Sequence, residues 1–381
     1  MNITRVIYRG LSLEKQILCL VGTRPECIKM APVINALREQ PWCRVTVLST
    51  GQHREMTRSV LAAFGIGVDI DLDVMEPNQT LAGLTARVLV KLDPVLEQGA
   101  FDLLLVQGDT TSVMAAALSA FYRRVPIGHV EAGLRTGDIR RPFPEELNRV
   151  TAGLVTNLHF APTAAARDHL LCEGKDPASV HVTGNTVIDA LLEISRQDFP
   201  CAYPAEGRRL VLVTAHRREN FGAPLVAICD AIRRLHDAHE DIEFVYPVHP
   251  NPNIRGPVHE RLGELSRVNL VPPADYVDLV TLMKRATLVL TDSGGIQEEA
   301  PALGKPVLVL REETERPEAV AAGVARLVGA DAECIVEEAG RLLDDEAAYR
   351  DMARGISPYG DGLAAGRIAD LCQKFLKSDE N

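Results

Sequence analysis

The sequence predicts an α/β protein with two Rossmann-like domains, each a doubly wound parallel sheet, facing one another across a cleft. Short apolar runs alternate with helical patterns along the whole chain. Several runs are apolar on both faces, as parallel strands covered by helices must be. A polar segment at 196–209, with two prolines and a glycine, separates two series of strands.

The individual elements follow from these patterns in chain order. Short, mainly apolar runs predict strands at 17–21, 45–49, 103–107, 127–130, 180–183, 210–214, 243–246, 269–271, 288–291 and 307–310. Helical spacing between them predicts helices at 26–40, 81–96, 112–122, 163–173, 225–239, 277–284 and 331–343. We therefore expect an N-terminal domain at 1–195, a C-terminal domain at 196–360, and a helix at 361–381 that packs back on the N-terminal domain.

Composition excludes several classes of protein. The chain has 381 residues and a net charge of −11, which argues against a general nucleic-acid or anionic-membrane surface. No apolar run approaches the ~18 residues of a membrane span. The eight cysteines form no CxxC pair, so we expect neither a disulfide framework nor a cysteine metal site, and a cytoplasmic location.

The segment at 291–299 (TDSGGIQEE) is the most informative motif, because it links an apolar strand to a helix. At Ser293, Gly294 and Gly295 the backbone can approach a ligand closely, and the first N–H groups of the helix can bind an anion. Glu299, about one turn later, would reach the hydroxyls of an attached sugar. The alternative is an ordinary strand-to-helix turn.

Charged residues also follow strands in the first half of the chain. Arg24 and Lys29 lie just after the first strand and could bind a phosphate, or could be solvated cations. Asp109 follows the strand at 103–107 and is either a functional carboxylate or a helix N-cap. Glu131 directly follows the strand at 127–130 and lies two residues before Gly133, a position that favours an active-site role.

Glu145 and Glu146 follow a proline-rich turn, RRPFP, that should place a helix start near the cleft. One of the two is expected to be only a first-turn helix charge. In the second half, His216 follows the strand at 210–214 and is a candidate for proton transfer. His249 is a weaker candidate, and Arg316 could be a second cation for a diphosphate.

Taken together, these motifs resemble the non-hydrolysing UDP-N-acetylglucosamine 2-epimerases. The matching segments run in order through nearly the whole chain: GTRPE at 22–26, TGQH at 50–53, QGDTTS at 107–112, HVEAGLRTGD at 129–138, RPFPEELNR at 141–149, GNTVID at 184–189, TAHRREN at 214–220, YPVHPNP at 246–252, TDSGGIQEEAPALGKPVL at 291–308 and ERPEA at 315–319.

The resemblance implies a glycosyltransferase-B-like architecture, a homodimer, and interconversion of UDP-GlcNAc and UDP-ManNAc without a redox cofactor or metal. In such enzymes carbon 2 loses its proton as UDP leaves carbon 1, and UDP then re-adds to an enzyme-held 2-acetamidoglucal. By resemblance the acid/base and intermediate-stabilising groups are Asp109, Glu131, Glu145 and His216, and the UDP ligands are Arg24, Lys29, Ser293, Gly294, Gly295, Glu299 and Arg316. Asp109 is favoured as the base by a small margin. The resemblance also implies that the product of the reaction is used in polysaccharide biosynthesis.

Some related enzymes bind a second, activating UDP-GlcNAc. The residues here that would serve such a site are Gln52, His53, Arg217 and His249. Glu55 replaces a second Gln of that pattern, and Asn78 replaces an Arg. Losing a cation and adding an anion should weaken a second diphosphate-sugar site, so we expect weak or absent activation.

Rival interpretations remain at this level. They are an epimerase of a related UDP-sugar such as a diacetamido-uronate, a hydrolysing form that releases ManNAc, a glycosyltransferase of the same fold, and an inactive nucleotide-sugar sensor. An NAD-dependent dehydrogenase is disfavoured, since no GxGxxG follows the first strand.

Overall fold

The computed structural model describes residues 14–51, 54–201, 203 and 207–378. These residues form two compact units. Unit one comprises the described residues up to Ala190 together with those from Gly360 onward, and unit two comprises Leu191–Tyr359.

Unit one contains a seven-stranded parallel sheet in the order β3-β2-β1-β4-β5-β6-β7. The strands are β1 Lys15–Val21, β2 Cys43–Ser49, β3 Ile70–Asp71, β4 Leu103–Gln107, β5 Ile127–Val130, β6 Leu158–Ala161 and β7 Val180–Val182. The helices are α1 Arg24–Arg38, α2 Arg54–Ala63, α3 Leu81–Gly99, α4 Thr111–Tyr122, α5 Glu145–Val155, α6 Ala164–Cys172 and α7 Thr186–Ser195, which runs on into unit two. The strand order reverses between β1 and β4, where ligands of such sheets bind.

Unit two contains a six-stranded parallel sheet in the order β10-β9-β8-β11-β12-β13. Its strands are β8 Arg209–Thr214, β9 Ile242–Pro247, β10 Val268–Val271, β11 Ala286–Thr291, β12 Val307–Val309 and β13 Ala325–Leu327. Its helices are α8 Ala223–Ala238, α9 Pro252–Leu262, α10 Tyr276–Arg285, α11 Gly294–Ala302, α12 Pro317–Ala321, α13 Ala332–Asp344 and α14 Glu346–Met352. Here the order reverses between β8 and β11, whose last residues Thr214 and Thr291 are paired.

The topology confirms the predicted class, because both sheets are parallel and carry helices at each crossover. The short strands β3, β6 and β13 were not predicted. β6 carries the buried His159, and β13 carries Arg326. Their pairing with neighbouring strands makes them strands.

The last described helix, α15 (Ala364–Ser378), returns to unit one and packs on α1. Ala365 N donates a hydrogen bond of 2.8 Å to the buried Asp189 in α7. The chain therefore closes unit one with a segment that follows unit two in sequence.

Candidate active site

Glu131 is held at the carboxyl end of β5 by donors from three other elements. Both of its carboxylate oxygens lie 2.6 Å from Lys29 Nζ in α1. Gln107 Nε2 at the end of β4 donates to it, and Asn185 Nδ2 lies 3.5 Å away. The side chain is only 7% exposed. A buried carboxylate paired with a cation in this way is stabilised in its ionised form.

The backbone of Glu131 is also unusual, with a φ of 63° in the left-handed region. For a residue with a side chain this conformation costs on the order of 1 kcal/mol. The contacts of the carboxylate, together with the sheet on which it lies, offset that cost. The strained backbone directs the glutamate to the edge of the sheet where β4 and β5 end.

Asp109 lies beside this group, two residues beyond β4. It is not the N-cap of α4, since Thr110 Oγ1 accepts the capping hydrogen bond from Val113 N. Asp109 Oδ2 lies 2.6 Å from Arg149 Nη2, and its side chain remains 29% exposed. Burial raises the pKa of Asp109, and the charge of Glu131 raises it further, while Arg149 opposes both effects.

The structure distinguishes the two glutamates at the start of α5. Glu146 is 2% exposed, and its Oε1 accepts hydrogen bonds from Thr136 N at 3.0 Å and Gly137 N at 3.2 Å. It therefore holds the preceding loop in place. Glu145 is only partly buried, and its charge contributes to raising the pKa of Asp109. Glu145 is thus the one that belongs to the carboxylate cluster of Asp109 and Glu131.

Arg24 is the first residue of α1, at the reversal between β1 and β4. The turn before it is rigid, because the buried Glu26 carboxylate accepts hydrogen bonds from Gly22 N at 2.6 Å and Thr23 N at 3.1 Å. Burial raises the pKa of Glu26 to about 7. The half-buried Arg24 therefore extends from a fixed backbone, and its contact with UDP stays a prediction.

In unit two, Asp292 organises the loop that carries His216. The carboxylate is fully buried, and its Oδ2 accepts hydrogen bonds from His216 N and Arg217 N, both at 2.8 Å, and from Asn220 Nδ2 at 3.0 Å. His216 itself is 43% exposed, and its ring stacks on that of His249 with centroids 6.0 Å apart. Burial lowers the pKa of His216, and Asp292 opposes that shift.

The turn from β11 to α11 leaves room at its two glycines. Neither Gly294 nor Gly295 has a positive φ. A Cβ on Gly294 would lie 3.6 Å from Arg217 Nη2, and one on Gly295 would lie 3.9 Å from Glu299 Oε2, which are ordinary contacts. The described protein thus gives no steric reason for glycine here. Ser293, the N-cap of α11, makes no side-chain capping bond to the helix. The first N–H groups of α11 could bind an anion next to Ser293, Gly294 and Gly295, and this binding stays a prediction.

Two further predicted UDP ligands are held by neighbours within unit two. Tyr276 Oη donates a hydrogen bond of 3.2 Å to the buried Glu299. Arg316 Nε donates to Glu298, and the arginine is 25% exposed. Lys29, also predicted to bind UDP, contacts Glu131, as described above. Binding of UDP by these three residues stays a prediction.

Of the residues proposed for a second site, Arg217 and His249 both lie next to His216. Arg217 Nη1 is 3.9 Å from the Glu315 carboxylate. Gln52 and His53 lie outside the described residues.

Several side chains that contact the predicted residues were assigned no role from sequence: Gln107, Arg149, Asn185 and Asp292. Gln107 ends β4, and Asp292 follows β11 directly. A polar residue at the end of a buried parallel strand was the signal that identified Glu131, and it would have found these two as well. Arg149 and Asn185 gave no comparable signal, because their contacts depend on the fold.

Among the described residues, no group of three or more His, Cys, Asp or Glu side chains could hold a metal ion. All eight cysteines are free. None of the helices in the described ranges is long and apolar enough to cross a membrane.

Comparison with known proteins identifies the family. The family model for UDP-N-acetylglucosamine 2-epimerase matches residues 35–373. The UDP-N-acetylglucosamine 2-epimerase of Escherichia coli (strain K12) is 50% identical over 366 aligned positions, and the match covers 93% of this chain and 97% of that protein. This chain belongs to the UDP-N-acetylglucosamine 2-epimerase family.

Solved structures agree with this assignment. The crystal structure of UDP-GlcNAc 2-epimerase from Neisseria meningitidis bound to UDP-GlcNAc is 44% identical, with a TM-score of 0.82 over 94% of this chain and 100% of that one. The S. aureus MnaA-UDP co-structure is 45% identical, with a TM-score of 0.82 over 95% and 97% of the two chains. A likeness to the glycotransferase of kitacinnamycin, at 15% identity and a TM-score of 0.64, shows the shared glycosyltransferase-type fold alone.

Proposed function

We propose that this protein interconverts UDP-GlcNAc and UDP-ManNAc without net hydrolysis. A base removes the proton from carbon 2, UDP leaves carbon 1 to give 2-acetamidoglucal, and UDP re-adds as a proton returns to the opposite face. The observation that carries the proposal is the cluster of Asp109, Glu131 and Glu145 at one sheet edge, in a chain of this family. The Escherichia coli relative is named as a UDP-N-acetylglucosamine 2-epimerase, and one solved relative is bound to UDP-GlcNAc.

Asp109 is the best-supported base in this cluster. Its raised pKa brings it closer to the pH at which a carboxylate base works efficiently, and its side chain is partly exposed. Glu131 is more deeply buried and already accepts hydrogen bonds from Lys29 and Gln107. We therefore assign Glu131 to stabilising and orienting the reacting sugar, and Glu145 to proton transfer or to stabilising the intermediate.

The UDP portion is assigned to unit two. The N–H groups at the start of α11, next to Ser293, Gly294 and Gly295, would bind the diphosphate, and Glu299 would bind the ribose hydroxyls. Arg316 would bind the diphosphate in place of its present contact with Glu298. Arg24 and Lys29 would complete the charge stabilisation of the leaving UDP, which such a reaction requires.

Incubation with UDP-GlcNAc in deuterium oxide tests the reaction type. We expect deuterium at carbon 2 of recovered UDP-GlcNAc and UDP-ManNAc, with no net release of UDP. Stoichiometric UDP release would indicate the hydrolysing alternative. A substrate turned over only as a diacetamido-uronate derivative would indicate the related epimerase. The absence of both carbon-2 label and turnover would refute the proposal.

Variants then test the carboxylate assignment. Asp109→Asn and Glu131→Gln should each abolish the exchange while leaving UDP affinity mostly intact. A matched control is Asp93→Asn, which removes an exposed carboxylate of α3 that pairs with Arg123, and should exchange at the wild-type rate. Normal exchange in both Asp109→Asn and Glu131→Gln would refute the assignment.

Two further expectations belong to this proposal. We expect a homodimer whose interface buries apolar side chains exposed on unit one, among them Val90, Tyr122 and Leu154. A monomer in sedimentation equilibrium would contradict this expectation. Weak or absent activation by a second UDP-GlcNAc is expected from Glu55 and Asn78. Sigmoidal UDP-ManNAc kinetics relieved by traces of UDP-GlcNAc would contradict that expectation.

A further inference from the structure

Asp292 has two carboxylate oxygens with different surroundings. Oδ2 accepts the three hydrogen bonds described above. Oδ1 is buried, and within the described residues it receives no hydrogen bond. Its neighbour across a distance of 3.4 Å is Nδ1 of His216. A buried carboxylate oxygen left without a donor costs at least about 1–3 kcal/mol. The contact is too long and poorly aligned to count as a hydrogen bond, but the negative oxygen beside the ring favours the tautomer of His216 with its proton on Nδ1.

The neighbouring ring of His249 is held in the opposite tautomer. Asn251 N donates a hydrogen bond of 3.1 Å to His249 Nδ1, so that nitrogen is an acceptor, and the neutral ring carries its proton on Nε2. The two rings stack almost in parallel, with an interplanar angle of 13°. The protein thus distinguishes two adjacent imidazoles by the partner it gives each Nδ1.

We propose that Asp292 is a positioning residue that keeps the proton of neutral His216 on Nδ1, and so leaves Nε2 as the nitrogen that exchanges a proton with the substrate. The proposal has two steps: Asp292 controls the tautomer of His216, and His216 Nε2 then exchanges a proton with the substrate. Only the second step rests on the function proposed above. The first step, control of the tautomer by Asp292, depends on the geometry of unit two alone.

The isosteric variant Asp292→Asn provides a sharp test. The Oδ2 position faces three N–H donors, so the amide oxygen should occupy it and keep the loop intact. The amide NH₂ then faces His216 Nδ1 and donates to it, which forces the proton of the neutral ring to Nε2. The change inverts the tautomer while preserving the shape of the site.

The measurement is ¹⁵N NMR of histidine-labelled full-length protein, with His216→Gln used to assign the signal among the ten histidines. We expect Nδ1–H for His216 in the wild type and Nε2–H in Asp292→Asn. We also expect kcat to fall on the order of 100-fold with little change in KM. A purely structural role would instead reduce UDP binding and thermal stability.

The pH profile gives a second readout with a defined sign. The charged or titratable groups acting on His216 are Asp292, which raises its pKa, and His249 and Arg217, which lower it. Removing the Asp292 charge should therefore move the His216 limb of the kcat profile to lower pH, whether the ring acts as base or as acid.

An Nε2–H tautomer in the wild type, or an unchanged tautomer in Asp292→Asn, would overturn the proposal. The wild-type spectrum alone tests the tautomer, so the proposal can fail even if Asp292→Asn does not fold. An inverted tautomer with unchanged kcat would overturn the second step. Failure of the proposed function would appear separately, as missing carbon-2 label in the wild-type protein.

Discussion

Breaking the buried ion pair between Lys29 and Glu131 should lower the stability of unit one measurably. The two side chains are 17% and 7% exposed, and Lys29 Nζ lies 2.6 Å from the carboxylate. Replacing Lys29 by Met keeps the length of the side chain and removes its charge. The Glu131 carboxylate then stays buried without this cation, while Gln107 and Asn185 remain as neutral donors.

The expected cost follows from that burial. Breaking a buried ion pair by removing one partner typically destabilises a protein by 3–5 kcal/mol, and the remaining donors to Glu131 favour the lower end, about 3 kcal/mol. For a unit of roughly 200 residues, this corresponds to a fall in Tm of about 6–12 °C. Thermal unfolding followed by circular dichroism at neutral pH measures it. The matched control is Lys377→Met, at an exposed lysine near the end of α15, and should leave Tm unchanged.

A double-mutant cycle isolates the pair from other effects of each substitution. Glu131→Gln alone removes the carboxylate that pairs with the Lys29 ammonium. The double variant, Lys29→Met with Glu131→Gln, removes both charges and should lose less stability than the two single variants summed, by at least about 1 kcal/mol. Additive losses, or a Lys29→Met protein that melts within about 2 °C of the wild type, would refute the reasoning.

Two further predictions concern glycine and a buried carboxylate. Gly294→Ala should keep the wild-type Tm, because its Cβ meets only ordinary contacts, yet weaken UDP binding about tenfold, or 1.4 kcal/mol, by calorimetry. Gly22→Ala is the contrasting control, since its Cβ would lie 2.3 Å from Thr50 Oγ1 and should lower Tm; equal effects on UDP binding would contradict the anion site. Glu26 has its pKa raised from 4.5 to about 7, so the folded state binds its proton more tightly, and stability should fall as pH rises between these values. Glu26→Gln should reduce this pH-dependent loss in the free energy of unfolding by up to about 3 kcal/mol. Urea unfolding at several pH values between 4.5 and about 7 measures it, and an unchanged pH dependence of stability would refute the role given to Glu26.

Most of the fold was predictable because its signal is local. Runs such as Ile17–Val21 in β1 and Leu103–Val106 in β4 are apolar on both faces, which marks a covered parallel strand wherever it lies in a sheet. β6 escaped prediction although its four residues resemble those of the predicted β5, and its pairing with β5 and β7 is what defines it as a strand. Helices such as α9, which contains Pro257, were missed because a proline in an otherwise helical stretch favours a break.

For the candidate site, the sequence indicated which residues to consider but not the role of each. Residues that follow a strand, such as Asp109, Glu131 and His216, could be selected because parallel strands end at one edge of a sheet. The choice between roles could not be made in this way. Only the structure identifies Thr110 as the N-cap in place of Asp109, and Glu146 as the loop-holding member of its pair.

The sequence alone determined the α/β class, the strand-end residues and the family resemblance, because each is written in short segments of consecutive residues. The tertiary structure decided which of those residues meet. Lys29 and Glu131 are 102 positions apart, and His216 and Asp292 are 76 apart. Their contacts exist because β1, β4 and β5 in one sheet, and β8 and β11 in the other, are neighbours in space. Strand order is a long-range property that no local pattern specifies.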